Sequence, residues 1–96
     1  RFEVKIGVDY SSDITLVMKI LKEAAIGQEG VLKKPEPFIR FADYGESSLN
    51  FSIFFWSVEV FRVENIMSAI RVRISELFKE NNITVPFPQR VIHINK

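Results

Sequence analysis

The chain has 96 residues, of which 47% are hydrophobic, and a formal net charge of +1 at pH 7. This length and composition predict one globular domain, spanning residues 1–96, with a single core. The small net charge gives no electrostatic reason to expect binding to nucleic acid or to an anionic membrane surface. The lack of cysteine excludes a disulfide scaffold, and no apolar run reaches the ~20 residues that a transmembrane helix needs.

The first two predicted elements are a strand and an amphipathic helix. Apolar and polar residues alternate over residues 2–8, which is the period of a half-buried strand. Ser12 or Asp13 can cap the helix that follows, and Gly27 can end it in the left-handed conformation. The apolar stripe of this helix consists of Ile14, Val17, Met18, Leu21 and Ala25.

Residues 38–56 predict a β-hairpin. Two apolar, aromatic-rich runs flank a polar break at residues 44–48, the pattern of two strands joined by a longer loop. Regular alternation in the first run would place Arg40 and Asp43 on opposite faces of the sheet. The second run, residues 49–56, is apolar enough to belong near the middle of a sheet.

A second helix is predicted over residues 62–80, followed by a proline-rich segment and a last strand. Asn82 can replace glycine in a left-handed cap after this helix. Pro86-Phe87-Pro88 forbids helix and favours extended backbone, and alternation resumes over residues 90–95. The apolar stripe of the helix consists of Val63, Ile66, Met67, Ile70, Ile74, Leu77 and Phe78.

The order of these elements, β-α-β-β-α-β, is that of a ferredoxin-like α+β fold. Right-handed crossovers would place both helices on one face of a four-stranded antiparallel sheet with strand order 4-1-3-2. Phe54 and Trp56 would then lie on the face that the helices do not cover.

No residue pattern in the sequence predicts catalysis, a metal site or a cofactor. His93 is the only histidine, and no cluster of His, Cys or Glu stands near it in sequence, so we expect a structural or surface role. The serines at 11, 12, 47 and 48 suit caps and turns better than nucleophilic catalysis. We therefore expect that the chain is not an enzyme and binds no cofactor.

The helix-free face of the sheet has two interpretations. Aromatic side chains on such a face can stack RNA bases, but the first strand presents no aromatic residue there. An apolar sheet face rimmed by polar residues often marks a protein interface, and we favour an interface through Phe54 and Trp56. The alternative is a free-standing ferredoxin-like module that binds a small ligand or RNA. The residues of the first strand on this face are Glu3, Lys5, Gly7 and Asp9.

Three ordered parts of the chain carry a family resemblance. They are the strand-to-helix junction VDYSSDI at residues 8–14, the hairpin residues SSLNF at 47–51 with FWS at 55–57, and the stretch ITVPFPQR at 83–90. Together they resemble the C-terminal cytoplasmic domain of the small-conductance mechanosensitive channel family, the MscS-like channels.

The resemblance implies that the chain belongs to a longer membrane channel that opens under bilayer tension and relieves osmotic stress. Transmembrane helices and a middle β-domain would precede Arg1, so contact with the membrane is expected only through the parent protein. Copies of this domain, seven in the best-known members, would form a solute-filtering cage on the cytoplasmic side of the inner membrane. We count Pro86, Phe87 and Pro88 with Phe54 and Trp56 as candidate residues of a subunit or domain interface.

Overall fold

The computed structural model describes residues 1–86, which form a three-stranded antiparallel sheet with two α-helices on one face. The predicted α+β fold class is confirmed. The predicted fourth strand at residues 90–95, His93 and the candidate residues Phe87 and Pro88 lie outside the described residues. The elements are β1 (Phe2–Val8), α1 (Ile14–Ala25), β2 (Phe38–Tyr44), β3 (Leu49–Phe55), a short 3-10 helix (Val60–Arg62) and α2 (Val63–Glu80).

The described strands stand in the order β1-β3-β2, and both pairings are antiparallel. This confirms the predicted central position of the strand that follows the hairpin loop. Every residue of β3 except Asn50 is buried, as expected for a strand covered on both edges and packed on one face by helices.

The hydrophobic core lies between the sheet and the two helices. It forms because the strands contribute apolar residues at a period of two and the helices at a period near 3.6. Each fully buried aliphatic or aromatic side chain contributes about 1.5–3 kcal/mol relative to its exposed state. The largest fully buried side chains are Phe51, Phe55, Leu21, Ile53, Ile70, Val4, Val8 and Val17.

The helix ends follow the capping signals in the sequence. Asp13 is the N-cap of α1, and its side-chain oxygen accepts a hydrogen bond of 3.1 Å from the backbone N–H three residues further on. Gly27, two residues after α1, has a φ of +89°. Asn82 has a φ of +57°, and the N–H of Ile83 returns to the carbonyl of Phe78 at 2.9 Å, which is the Schellman arrangement.

The prediction that Arg40 and Asp43 lie on opposite faces is wrong. Arg40 stands opposite Ser52 and Asp43 opposite Asn50, so both share the helix-free face. The reason is a β-bulge between Phe41 and Asp43 that inserts one extra residue and reverses the alternation. The amide of Asn50 donates a hydrogen bond of 2.8 Å to the Asp43 carboxylate across the two strands.

Candidate functional site

The helix-free face of the sheet divides into an aromatic end and a polar end. Strand register determines this division, because directly paired residues share a face. The aromatic end contains Phe38, paired with Phe54, and Trp56 one step beyond the end of β3. The polar end contains Lys5, Ser52 and Arg40 in one row and Gly7, Asn50 and Asp43 in the next.

The two predicted aromatic residues differ in how far their own chain covers them. The rings of Phe38 and Phe54 stack with centroids 4.9 Å apart, and the Trp56 ring is tilted against Phe38 at 6.2 Å. Phe54 is only 5% exposed, whereas Trp56 is half-buried. Trp56 is therefore the member of the pair that retains surface for contact with another molecule.

Two guanidinium groups cover Phe54. The Cζ atom of Arg1 lies 4.7 Å from the centroid of the Phe54 ring, and that of Arg40 lies 5.0 Å from it. Each contact is a cation–π attraction. Because these side chains bury the ring, almost none of its surface is left for a nucleic-acid base to stack on, which weighs against the RNA-binding alternative.

The polar end is an internally paired network. The hydroxyl of Ser52, which is buried, donates to the Glu3 carboxylate at 2.6 Å. The hydroxyl of Ser48 donates to the side-chain oxygen of Asn50 at 2.7 Å, and Asn50 donates in turn to Asp43. Ser52 is the buried member, and leaving its hydroxyl without a partner would cost ~1–3 kcal/mol. The other two bonds are partly or fully exposed and fix the positions of the side chains on this face.

The junction motif at residues 8–14 forms a hydrogen-bonded turn between β1 and α1. The Ser11 backbone N–H and hydroxyl both donate to the Asp9 carboxylate, and these bonds hold the pKa of Asp9 below its ordinary value of 3.8. The hydroxyl of Tyr10 donates to the carbonyl of Gly45 in the hairpin loop. The motif therefore organises the strand-to-helix connection and its contact with the hairpin.

An exposed apolar turn at residues 58–61 follows Trp56 in the chain and leads into α2, and we did not predict it. In the sequence, Val58 and Val60 continue the alternation of the preceding strand weakly, but β3 ends at Phe55. Phe61 is 104% exposed, and both valines are exposed as well. The sequence does contain one indication of this exposure. Phe61 comes just before the apolar stripe of α2, which begins at Val63, and so does not belong to the buried face of that helix.

Charged and polar side chains hold the exposed turn in place. The Ser57 hydroxyl accepts a hydrogen bond of 3.0 Å from the Glu59 backbone N–H, and Arg62 forms an ion pair of 3.0 Å with the Glu59 carboxylate. These contacts fix the backbone on either side of Phe61, so the turn loses less backbone entropy when it binds another molecule.

Among residues 1–86, neither helix combines the length and apolarity that crossing a bilayer requires. Within the same part of the chain, no three His, Cys, Asp or Glu side chains are grouped as ligands for a metal ion.

Comparison with known proteins identifies the family. Residues 2–85 match the family model described as "Mechanosensitive ion channel MscS, C-terminal". The chain belongs to the MscS family. The resemblance found in the sequence is thereby confirmed, and the match covers the strands, both helices and the exposed turn.

Individual MscS relatives agree with this assignment. A small-conductance mechanosensitive channel of Helicobacter pylori is 38% identical over 87 residues, which cover 91% of this chain and 32% of that protein. An uncharacterized MscS family protein of Haemophilus influenzae is 35% identical over 94 residues, covering 98% of this chain and 8% of its own length. The chain therefore spans about a third or less of these relatives.

A solved MscS structure has the same fold. The crystal structure of Helicobacter pylori MscS in the closed state superposes with a TM-score of 0.82 at 36% sequence identity. The superposition covers 99% of this chain and 38% of that chain. The chain is thus a C-terminal MscS domain in both sequence and fold.

Proposed function

We propose that this domain forms part of the cytoplasmic vestibule of a channel that opens under membrane tension and relieves osmotic stress. Its role there is structural: it assembles with copies of itself and filters solutes. The observation that carries the proposal is the superposition on closed Helicobacter pylori MscS over nearly the whole chain. The parent protein would reside in the inner cell membrane, with this domain on the cytoplasmic side.

The proposed interface consists of the aromatic end of the helix-free face and the turn at residues 58–61 that follows it in the chain. Trp56 and the turn at residues 58–61 supply exposed apolar surface, and Phe54 supports Trp56 through their shared neighbour Phe38. The segment Pro86-Phe87-Pro88 extends this set. The partners would be neighbouring copies in a heptamer and the β-domain that precedes this one in the parent chain.

The channel function is tested with the full-length parent protein in bacterial cells that lack their own mechanosensitive channels. We expect survival of a sudden drop in osmolarity and a current in membrane patches that appears under suction. A full-length protein that reaches the membrane but gives no tension-activated current would contradict the proposal.

The interface is tested in the same cells with Trp56→Ala and Phe61→Ser. We expect both to reduce the fraction of assembled channel, measured by chemical cross-linking in membranes. Val72→Ala is the control, because Val72 is an exposed apolar residue on α2 that is not part of the proposed interface. Equal assembly of all three variants and the unmodified channel would contradict the interface while leaving the channel function standing.

A further inference from the structure

The connector between α1 and β2, residues 26–37, contacts the chain on both sides of the exposed turn at residues 58–61. Before the turn, the backbone N–H of Leu32 donates a hydrogen bond of 2.8 Å to the carbonyl of Trp56. After the turn, Gly30 lies against the side chain of Ile66 near the start of α2. The connector therefore holds both ends of the segment that carries the exposed side chain of Phe61.

Gly30 leaves no room for a side chain at its contact with α2. A Cβ atom at position 30 would lie 2.5 Å from Cδ1 of Ile66 and 2.9 Å from its Cγ1, distances that Cβ atoms in folded proteins essentially never show. Ile66 cannot easily move aside, because it is only 5% exposed and belongs to the hydrophobic core. A β-branched side chain in a helix also has one strongly preferred rotamer. A side chain at position 30 would therefore push the connector and the start of α2 apart.

The same glycine borders the turn itself. A Cβ atom at position 30 would stand 3.4 Å from Oε2 of Glu59, and Oε1 of the same carboxylate pairs with Arg62 at 3.0 Å. The backbone N–H of Arg62 also donates a hydrogen bond of 3.0 Å to the Glu59 carbonyl. Glu59 thus lies between the connector and the bonds that close the turn, so a shift of the connector reaches the turn through Glu59.

We propose that Gly30 is a positioning residue for the interface turn. Its missing side chain allows the connector to pack against Ile66 and Glu59, and this packing holds Phe61 in position for contact with a neighbouring copy. The effect of Gly30 on assembly rests on the interface proposed above, whereas its effect on the conformation of the turn does not.

Gly27 provides a matched control within the same connector. Its φ of +89° is close to the +93° of Gly30, so alanine is strained to a similar extent at both positions. A Cβ atom at position 27 would meet no other atom within 4 Å. Gly27→Ala therefore introduces the backbone strain alone, and Gly30→Ala adds the steric clash with Ile66.

Amide hydrogen exchange in the 96-residue chain tests the effect on the turn. We expect the N–H groups of Arg62 and Leu32 to exchange about tenfold faster or more in Gly30→Ala than in Gly27→Ala, which is the scale of overpacking at a tight contact. The amide of Ile53 in β3 is the reference, since its rate reports the global stability of each variant. Equal rates at Arg62 and Leu32 in the two variants would overturn the positioning role.

Truncation of Ile66 gives an independent readout of the same contact. Ile66→Val removes Cδ1, which is the atom nearest to the position of the new Cβ. We expect this change to restore part of the protection at Arg62 when it is combined with Gly30→Ala, and to restore none when it is combined with Gly27→Ala. Additive effects in both combinations would show that the clash does not cause the effect and would overturn the proposal.

Assembly of the full-length parent protein separates this proposal from the interface on which it rests. We expect Gly30→Ala to lower the cross-linked fraction of assembled channel more than Gly27→Ala does. Unchanged assembly of Gly30→Ala, with Phe61→Ser still defective, would overturn the link between Gly30 and assembly while the interface stands. Normal assembly of both Gly30→Ala and Phe61→Ser would overturn the interface itself and, with it, this role of Gly30.

Discussion

Phe54 and Trp56 are two residues apart on one face, and their own chain covers them to different extents. Phe54 is enclosed by Phe38, Arg1 and Arg40. Trp56 is half-buried, although its carbonyl accepts a hydrogen bond of 2.8 Å from the N–H of Leu32 and so has a fixed position. A fixed backbone with a partly exposed indole is suited to contact with another molecule.

This difference predicts the stability of two variants of the 96-residue chain. Phe54→Ala removes a buried ring and should lower the free energy of unfolding by about 3–5 kcal/mol. Trp56→Ala should cost less than about 3 kcal/mol, because part of the indole is already solvated. Urea denaturation measures both values. An equal or larger loss for Trp56→Ala would identify Trp56 as part of the internal packing.

The lowered pKa of Asp9 predicts a pH-dependent contribution to stability. The folded-state pKa lies below the unfolded-state value, so the stabilisation is present above the unfolded pKa and is lost as pH falls through the folded pKa. Asp9→Asn should therefore be less stable than the unmodified chain at pH 7. Denaturation from pH 7 down to pH 2 should show the difference shrinking below pH ~4, and a constant difference would contradict this origin.

At the scale of the elements, the start of α1 and the end of α2 are the features that the sequence predicts best. Asp13 begins α1, and Asn82 follows α2 in the left-handed conformation. Both positions were predictable because capping depends on a few neighbouring residues.

The cap after α2 predicts the effect of two substitutions. Asn82→Ala should lower the free energy of unfolding by about 1–2 kcal/mol, because a side chain other than Asn or Gly pays that cost in the left-handed region. Asn82→Gly should leave stability nearly unchanged. Urea denaturation of both variants checks this, with Glu80→Ala as a control at an exposed position in the last turn of α2. A similar loss for Ala and Gly would contradict the conformational origin.

Features that depend on contacts distant in sequence were less predictable. The bulge in β2 has no local signature, since Ala42 fits a regular strand as well as a bulge, and it moved Asp43 to the other face. Val58 and Val60 follow the alternating pattern of a strand although β3 ends at Phe55. The enclosure of Phe54 requires Arg1 and Arg40, which lie on either side of β3, and no sequence pattern links them.

At the scale of the whole molecule, the exposed apolar side chains include a group at one end of the sheet. The end of β3 and the beginning of β1 meet there, because Phe55 pairs with Phe2. Trp56 and the turn at residues 58–61 follow directly in the chain. This end of the domain therefore carries the beginning of β1 and the most exposed aromatic side chain among residues 1–86, Phe61.

The last prediction concerns assembly of the 96-residue chain on its own. The exposed apolar turn is small, and specific stable complexes usually bury at least ~1,200 Å² in total. A ring whose subunits meet through several domains also loses most of its avidity when one domain is isolated. We therefore expect sedimentation at micromolar concentration to show mostly monomers or small oligomers, and Phe61→Ser to shift any association further toward the monomer. A stable closed ring formed by this chain alone, unaffected by Phe61→Ser, would show that the assembly energy resides in this domain and that the exposed turn does not supply it.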